Sequence, residues 1–251
     1  MSNSIIEVQN LYKKYKEAEE FSVNDISLQI DQKDIFGILG PNGAGKTTLI
    51  SMLSGLIKPT AGHFTIDGLS PQKDALKIKQ IIGIVPQEYA LYPTLTAKEN
   101  LMFFGSLYGL KSQQLKDSIS HALEIMGLSK FADKKVGQYS GGMKRRCNLI
   151  AGTLHHPKVL FLDEPTVGVD VQSKKVIIDY LQELNNNGTC IIYTSHHLKE
   201  AEEFCTKIAI IDSGKIHAEG TPQELINKVP EAENLEDVFL SLTGKELRDV
   251  V

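Results

Sequence analysis

An α/β fold is predicted: a mostly parallel sheet core with an antiparallel β edge and an inserted helical subdomain. Three observations predict it. Five short, nearly continuous apolar runs at 35–39, 81–85, 159–162, 190–193 and 208–211 have the texture of strands buried on both faces. These runs alternate with helical segments, as parallel strands joined by crossovers must. Between the second and third runs no strand signal intervenes, and two stretches there carry helical periodicity.

Taken in chain order, 5–10 and 21–30 are β-rich and separated by the charged stretch 13–20. Alternation through Val23, Ile26, Leu28 and Ile30 gives the second run one buried face, so the two read as the antiparallel edge. The run 35–39 enters a glycine-rich turn, and an apolar helix follows over 48–56. Residues 96–108 read as a helix with Leu101, Phe104 and Tyr108 on one face. Leu115, Ile119, Leu123 and Met126 recur about every four residues on a second helix, with Ser112 as candidate N-cap and Gly127 at its end. Late in the chain, 207–212 and 215–219 form a hairpin about Ser213-Gly214. Thr221-Pro-Gln-Glu224 is a capping box with proline at the first helical position, and 235–242 is a last helix ended by Gly244. The expected organisation is an α/β core of 1–87 and 157–220, a helical subdomain of 88–156, and a short C-terminal helical extension of 221–251.

With 251 residues the chain can bury a full core without staples, and 41% hydrophobic with 23% charged residues is an ordinary globular composition. The net charge of −4 speaks against a dedicated nucleic-acid binder, and no nucleic-acid partner is expected. Three widely spaced cysteines without a CxxC suggest neither a zinc ribbon nor a disulfide framework, which fits a reducing compartment. No signal peptide is visible, and no apolar run approaches the ~20 residues that span a bilayer, so a membrane role needs a partner.

Gly40-Pro-Asn-Gly-Ala-Gly-Lys-Thr47 lies between a buried strand and a helix. Glycines allow backbone amides to approach an anion closely, and the following helix presents its positive end there. Lys46 adds a point charge, and the Thr47 hydroxyl suits Mg²⁺. The run 159–162 delivers Asp163 and Glu164 to a strand's carboxyl end, where open α/β sheets bind ligands. Asp163 is placed to hold Mg²⁺ through water, and Glu164 to orient an attacking water. An acidic helix start without a ligand is the competing reading for that pair.

Tyr139-Ser-Gly-Gly-Met-Lys-Arg-Arg146 opens another helix, with Ser140 as N-cap candidate and two glycines whose bare amides are expected to face outward. One chain with two anion surfaces suggests two copies meeting head to tail, each nucleotide held by both. A glycine-flanked helix start that binds nothing stays open on this segment alone. A guanine reader Asn-Lys-x-Asp is absent, since Asn227-Lys228 runs into Val229-Pro230. A metabolite kinase remains possible from the first loop alone.

Six motifs in order give the resemblance: the chain resembles an ATP-binding cassette (ABC) ATPase, a P-loop nucleoside triphosphatase that serves as nucleotide-binding subunit of an ABC transporter. The similarity spans 5 to about 220. Gly40, Pro41, Asn42, Gly43, Ala44, Gly45, Lys46, Thr47 and Thr48 resemble the Walker A loop; Gln87 the Q-loop; Ser140, Gly141, Gly142 and Met143 the signature. Residues 159–163 with Glu164 resemble the Walker B, Asp170 the D-loop, and His196 the switch histidine, though His197 is adjacent. Tyr15 falls where the family stacks an aromatic on adenine. Met143 and Tyr139 replace the usual signature glutamine and leucine, and Val167 and Val169 depart from the common D-loop.

The resemblance implies ATP and Mg²⁺ as cofactors, with Thr47, Gln87 and Asp163 toward the metal. It also implies Glu164, His196 and Gln87 in hydrolysis, and a homodimer or a paired cassette subunit. A separate transmembrane permease is implied too, holding the protein at the inner, cytoplasmic face of the membrane. The Tyr-Ser-Gly-Gly-Met-Lys-Arg-Arg and Glu-Pro-Thr-Val-Gly-Val-Asp variants resemble bacterial drug, antibiotic or polysaccharide export systems. A soluble cassette ATPase of translation or DNA repair is the alternative, although such relatives usually carry two cassettes or a long coiled-coil insertion. The segment 89–95 is either core packing or a groove for the membrane partner. Lys144 to Arg146 reads as a solvated or acid-paired face.

Overall fold

The computed structural model describes residues 3–244, so 245–251 of the predicted C-terminal extension lie outside the described residues. In chain order the elements are β1 (Ser4–Lys13), β2 (Val23–Asp31), β3 (Ile35–Leu39), α1 (Lys46–Leu53), β4 (Ala61–Ile66), α2 (Pro71–Ile81), β5 (Ile82–Val85), α3 (Ala97–Leu107), α4 (Ser112–Ile125), α5 (Gly141–Thr153), β6 (Val159–Asp163), α6 (Val171–Asn186), β7 (Cys190–Ser195), α7 (Leu198–Phe204), β8 (Lys207–Asp212), β9 (Lys215–Gly220), α8 (Pro222–Lys228) and α9 (Leu235–Thr243). The chain divides into two compact units, Met1–Ile78 with Cys190–Val251, and Lys79–Thr189. The sequence reading sets its boundaries at 87/88 and 156/157; by compactness β5 and β6 group with the helices.

The first unit holds two layers of strands. β1 is the middle of an antiparallel sheet ordered β2-β1-β4, and its pairing with β2 is the predicted edge. Ile26, Leu28 and Ile30 of β2 are buried at alternate positions and Val23 is buried beyond a register shift, so one face of this sheet supplies core. β4 was not read from the sequence: its first three residues are exposed and leave only Phe64 and Ile66 as apolar signal. The second layer runs β7-β3-β8-β9. β3 pairs in parallel with β7 and β8, and β9 closes the edge antiparallel to β8. β3 and β7 are buried at every residue, as a parallel interior requires. Thr221 and Glu224 form the predicted capping box of α8, and α9 stops at Gly244 in the left-handed region.

In the second unit β5 and β6 pair in parallel, with Val85 opposite Leu162. α5 packs on β5 and against α3, α4 and α6. Thr96 and Glu99 make a full capping box for α3. The stripe predicted on α4 is buried through Leu115, Ile119, Leu123 and Met126, but the helix begins at Ser112 itself and its N-cap is Lys111, which makes no side-chain cap. α1 is likewise displaced from the expected 48–56: it starts at Lys46 and ends at Leu53, leaving Leu56 exposed.

Candidate functional site

β3 delivers the glycine loop, and the loop's geometry excludes side chains at defined points. A Cβ on Gly40 would lie 2.1 Å from the Ile211 carbonyl oxygen, and one on Gly45 2.2 Å from that of Ser22. Gly45 also has φ 102, in the left-handed region. Both positions therefore need glycine for a close backbone approach. A Cβ on Gly43, at φ 83, would meet nothing within 4 Å, so its side of the loop is open.

α1 begins directly at Lys46 with no side-chain cap and no acidic residue in its first turn. Its first amides and dipole thus point their positive end at the open side of the loop. Lys46 is 6% exposed and donates through Nζ to the carbonyl oxygens of Gly40 (2.8 Å) and Pro41 (3.1 Å). An uncapped helix start beside a buried ammonium fits a polyphosphate anion. The β3–β7 register sets Leu39 opposite Ser195, so His196 leaves β7 at the same carboxyl end as Gly40. His196 stacks at a tilt on His197, centroids 4.3 Å apart, and His197 is the more exposed of the two. Tyr15, just beyond β1, is half exposed with the Lys13 ammonium 5.2 Å over its ring.

The second unit assembles the remaining predicted residues. β5 and β6 end side by side, so Gln87 and the Asp163-Glu164 pair emerge at one carboxyl end. Gln87 Nε2 donates to Glu164 Oε2 at 3.0 Å. Both carboxylates are buried, and Glu164 has φ 48, a left-handed conformation that costs a non-glycine residue about 1–3 kcal/mol. Strain of this kind fixes where a carboxylate points. Ser140 caps α5, its Oγ accepting from Met143 N at 3.3 Å, and both Ser140 and Gly141 are exposed. Gly142 corrects the expectation of two outward amides: it is buried, and a Cβ there would meet Ser173 Oγ at 2.3 Å and Asp170 Oδ2 at 2.9 Å. Asp170 is exposed and caps α6, accepting from Ser173 N and Oγ, bonds that hold its carboxyl below the usual range.

Sequence reasoning missed Arg145. Within the basic run read as a solvated or acid-paired face, Arg145 is 3% exposed and makes no ion pair among the described residues. Its guanidinium donates to Pro86 O at 3.1 Å and lies 5.1 Å over the Tyr89 ring. Burial pulls its pKa down, against the pull of Tyr89, Glu164 and Asp163, which favour the cation. The only sequence signal was its place one turn and a half into a helix whose apolar face is buried. The segment 89–95 is not core: Tyr89 and Tyr92 are exposed at 40% and 48%, and Tyr92 packs edge-on to Phe103, itself exposed.

The family model described as ABC transporter matches residues 23–167. The chain belongs to the ABC transporter ATP-binding family. Among its relatives, linearmycin resistance ATP-binding protein LnrL of Bacillus subtilis (strain 168) is 46% identical over 225 residues, covering 90% of this chain and 72% of that one. Nod factor export ATP-binding protein I of Burkholderia orbicola (strain AU 1054) is 39% identical, over 90% of this chain and 74% of its own. A solved dimer of the ATP-binding cassette MJ0796, in a post-hydrolysis state with ADP and Pi, superposes with a TM-score of 0.79 at 27% identity, covering 86% of this chain and 98% of that one. This ABC chain is therefore an ATP-binding transporter subunit and an ATPase, with the α/β fold expected from its sequence. The solved structure of cbiO1 from Clostridium perfringens, described as part of the ABC transporter complex cbiONQ, superposes with a TM-score of 0.81 at 27% identity, covering 90% of this chain and 92% of that one. Among the described residues of this ABC subunit, no helix is long and apolar enough to cross a membrane.

Proposed function

We propose that two copies of this chain, or one copy and a paired cassette subunit, close head to tail around two ATP molecules and drive a separate permease, with export as the direction. The observation that carries the reading is a second exposed helix start, at Ser140 and Gly141, which is distinct from the glycine loop and in this reading receives an anion from the opposite copy. A chain that exposes two such surfaces is economical if each nucleotide is held by one surface from each copy.

In this reading Gly40, Pro41, Asn42, Gly43, Ala44, Gly45, Lys46, Thr47 and Thr48 hold the phosphates and Tyr15 stacks on adenine. Ser140 and Gly141 of the opposite copy reach the γ-phosphate, with Asp170 at the seam and the buried Gly142 packed behind them against Asp170 and Ser173. Charge stabilisation supplied in trans is worth about 10³ to 10⁵ in rate in nucleotidases that use an arginine for it. Glu164 aligns water and His196 contacts the γ-phosphate. The Thr47 hydroxyl, the Asp163 carboxylate and the Gln87 carbonyl are hard oxygen donors that suit Mg²⁺, which when bound neutralises charge on the phosphoryl oxygens. The exposed aromatics at 89–95 fit a groove for the permease, which would hold the protein at the inner face of the membrane. Support for export comes from relatives named for drug resistance and Nod factor export.

Glu164→Gln tests the hydrolytic assignment. Turnover falls about 10² to 10⁴-fold, ATP binding persists, and a dimer accumulates with ATP on a sizing column. Near-normal hydrolysis by that variant rejects the role given to Glu164.

A further inference from the structure

α5 touches the loop after β5 at both of its ends. Arg145 donates to Pro86 O at 3.1 Å, and Asn148 Nδ2 reaches the same carbonyl at 3.5 Å. Asn148 Oδ1 accepts from Ala90 N at 3.1 Å, so the segment from 86 to 90 is bracketed by two side chains of one helix face. Arg145 also lies over the Tyr89 ring, and the Tyr89 hydroxyl donates to Gly141 O at 3.3 Å, in the first turn of α5. Gln87 sits inside the bracket and donates to Glu164.

Stability does not explain this arrangement. Arg145 and Asn148 are each 3% exposed, and Arg145 Nε is buried without a hydrogen-bond partner. A buried guanidinium without a carboxylate partner carries a desolvation cost that an apolar side chain of similar volume would avoid. What the guanidinium offers is a planar fork that bonds a carbonyl while it stacks on an aromatic ring, and lysine cannot do both. Ser140 stands only five residues, about 8 Å along the helix, before Arg145.

We propose that Arg145 and Asn148 are positioning residues that clamp the 86–90 loop to α5, so that Gln87 and Glu164 take their working positions only when α5 does. The inference rests on the roles proposed above for Gln87, Glu164 and Ser140, and deepens them: α5 carries the surface that meets the opposite copy and, on the same rod, the grip on the hydrolytic pair. Pressure on the exposed Tyr89 reaches Gln87 through the same clamp. Partner engagement and water alignment are one motion.

The test uses the purified full chain. Arg145→Lys keeps the charge and removes the fork and the stack; kcat falls about 10- to 100-fold, the loss typical of a small misplacement at a reacting centre. KM for ATP stays within about twofold and the melting temperature does not move, a split that a purely structural role does not produce. Tyr89→Leu, at an exposed position, lowers kcat in the same direction, and the double variant is no slower than Arg145→Lys alone. Wild-type kcat in Arg145→Lys, a loss that follows the folded fraction, or multiplicative effects in the double variant overturns the clamp. If Arg145→Lys does not fold, Tyr89→Leu decides: reduced kcat supports the clamp and unchanged kcat overturns it. Glu164→Gln run alongside separates the two claims, because hydrolysis that survives it defeats the reading of the site itself.

Discussion

Alanine at Gly45 should damage the protein far more than alanine at Gly43, although both glycines lie in one loop at left-handed φ, 102 and 83. The backbone term is common to both and costs about 1–2 kcal/mol for a residue with a Cβ. Only at Gly45 does the added carbon collide, 2.2 Å from the Ser22 carbonyl oxygen and 3.6 Å from Gly214 Cα. Both neighbours are backbone, and they are tied down: Ser22 N donates to Lys13 O, Gly214 N to Ala44 O, and Asn24 N to Gly214 O. Relief therefore requires the loop to move, and overpacking of this sort adds about 1–3 kcal/mol. For a chain of this size each kcal/mol lowers the melting temperature by about 2–4 °C. Gly43→Ala should lose about 2–8 °C and Gly45→Ala about 4–20 °C, as read by calorimetry without nucleotide. ATP at about 100 times its Kd adds about 2.7 kcal/mol to the wild type, and Gly45→Ala should forfeit that increment because the displaced loop no longer presents its amides. Equal melting losses in the two variants, or full ATP stabilisation of Gly45→Ala, would refute the steric argument.

The ion pair of Lys207 with Asp31 (2.7 Å) and Asp34 (3.3 Å) gives a pH dependence. The hydrogen bond that Lys207 donates to Asp31 lowers the Asp31 pKa below 3.8 and, being the same bond, raises the Lys207 pKa above 10.5. The pair therefore stabilises fully between those ordinary values. Its contribution is lost as pH falls through the depressed Asp31 pKa or rises through the raised Lys207 pKa. Lys207→Met should lower the melting temperature near neutral pH by the equivalent of about 1 kcal/mol or less, and the two proteins should converge in acid. A gap that persists unchanged below the Asp31 transition contradicts this, as does one that about 1 M salt fails to shrink.

The strand, turn and helix around the glycine loop were legible because the motif is local and runs through them without a break. Fully buried strands such as β3, β6 and β7 were equally legible, since a parallel interior leaves no polar alternation. The capping boxes of α3 and α8 were visible for the same local reason, though only that of α8 was named from the sequence. Elements set by distant contacts were not. β4 exists through its pairing with β1, and α2, with one buried residue and a kink at Asp74, has almost no apolar face to read. Gly142 looked like an outward amide because nothing nearby in sequence announces that Asp170 and Ser173 lie against it. Arg145 looked like one cation of three, and only the fold reveals that Pro86 and Tyr89 receive it. The bond between Gln87 and Glu164 joins residues 77 apart, and no spacing rule reaches so far.

The proposed pocket shared by two copies is tested most directly by mixing two chains that are each expected to be inactive for a different reason. Lys46→Ala removes the phosphate cation of a copy's own loop, and Ser140→Arg blocks the surface it lends to its neighbour. A mixed pair places both lesions in one pocket and leaves the other intact, so the mixture regains ATP hydrolysis that neither variant shows alone. A mixture as silent as its components, with both chains folded and pairing, would mean that each copy completes its own pocket, and the head-to-tail account would fall.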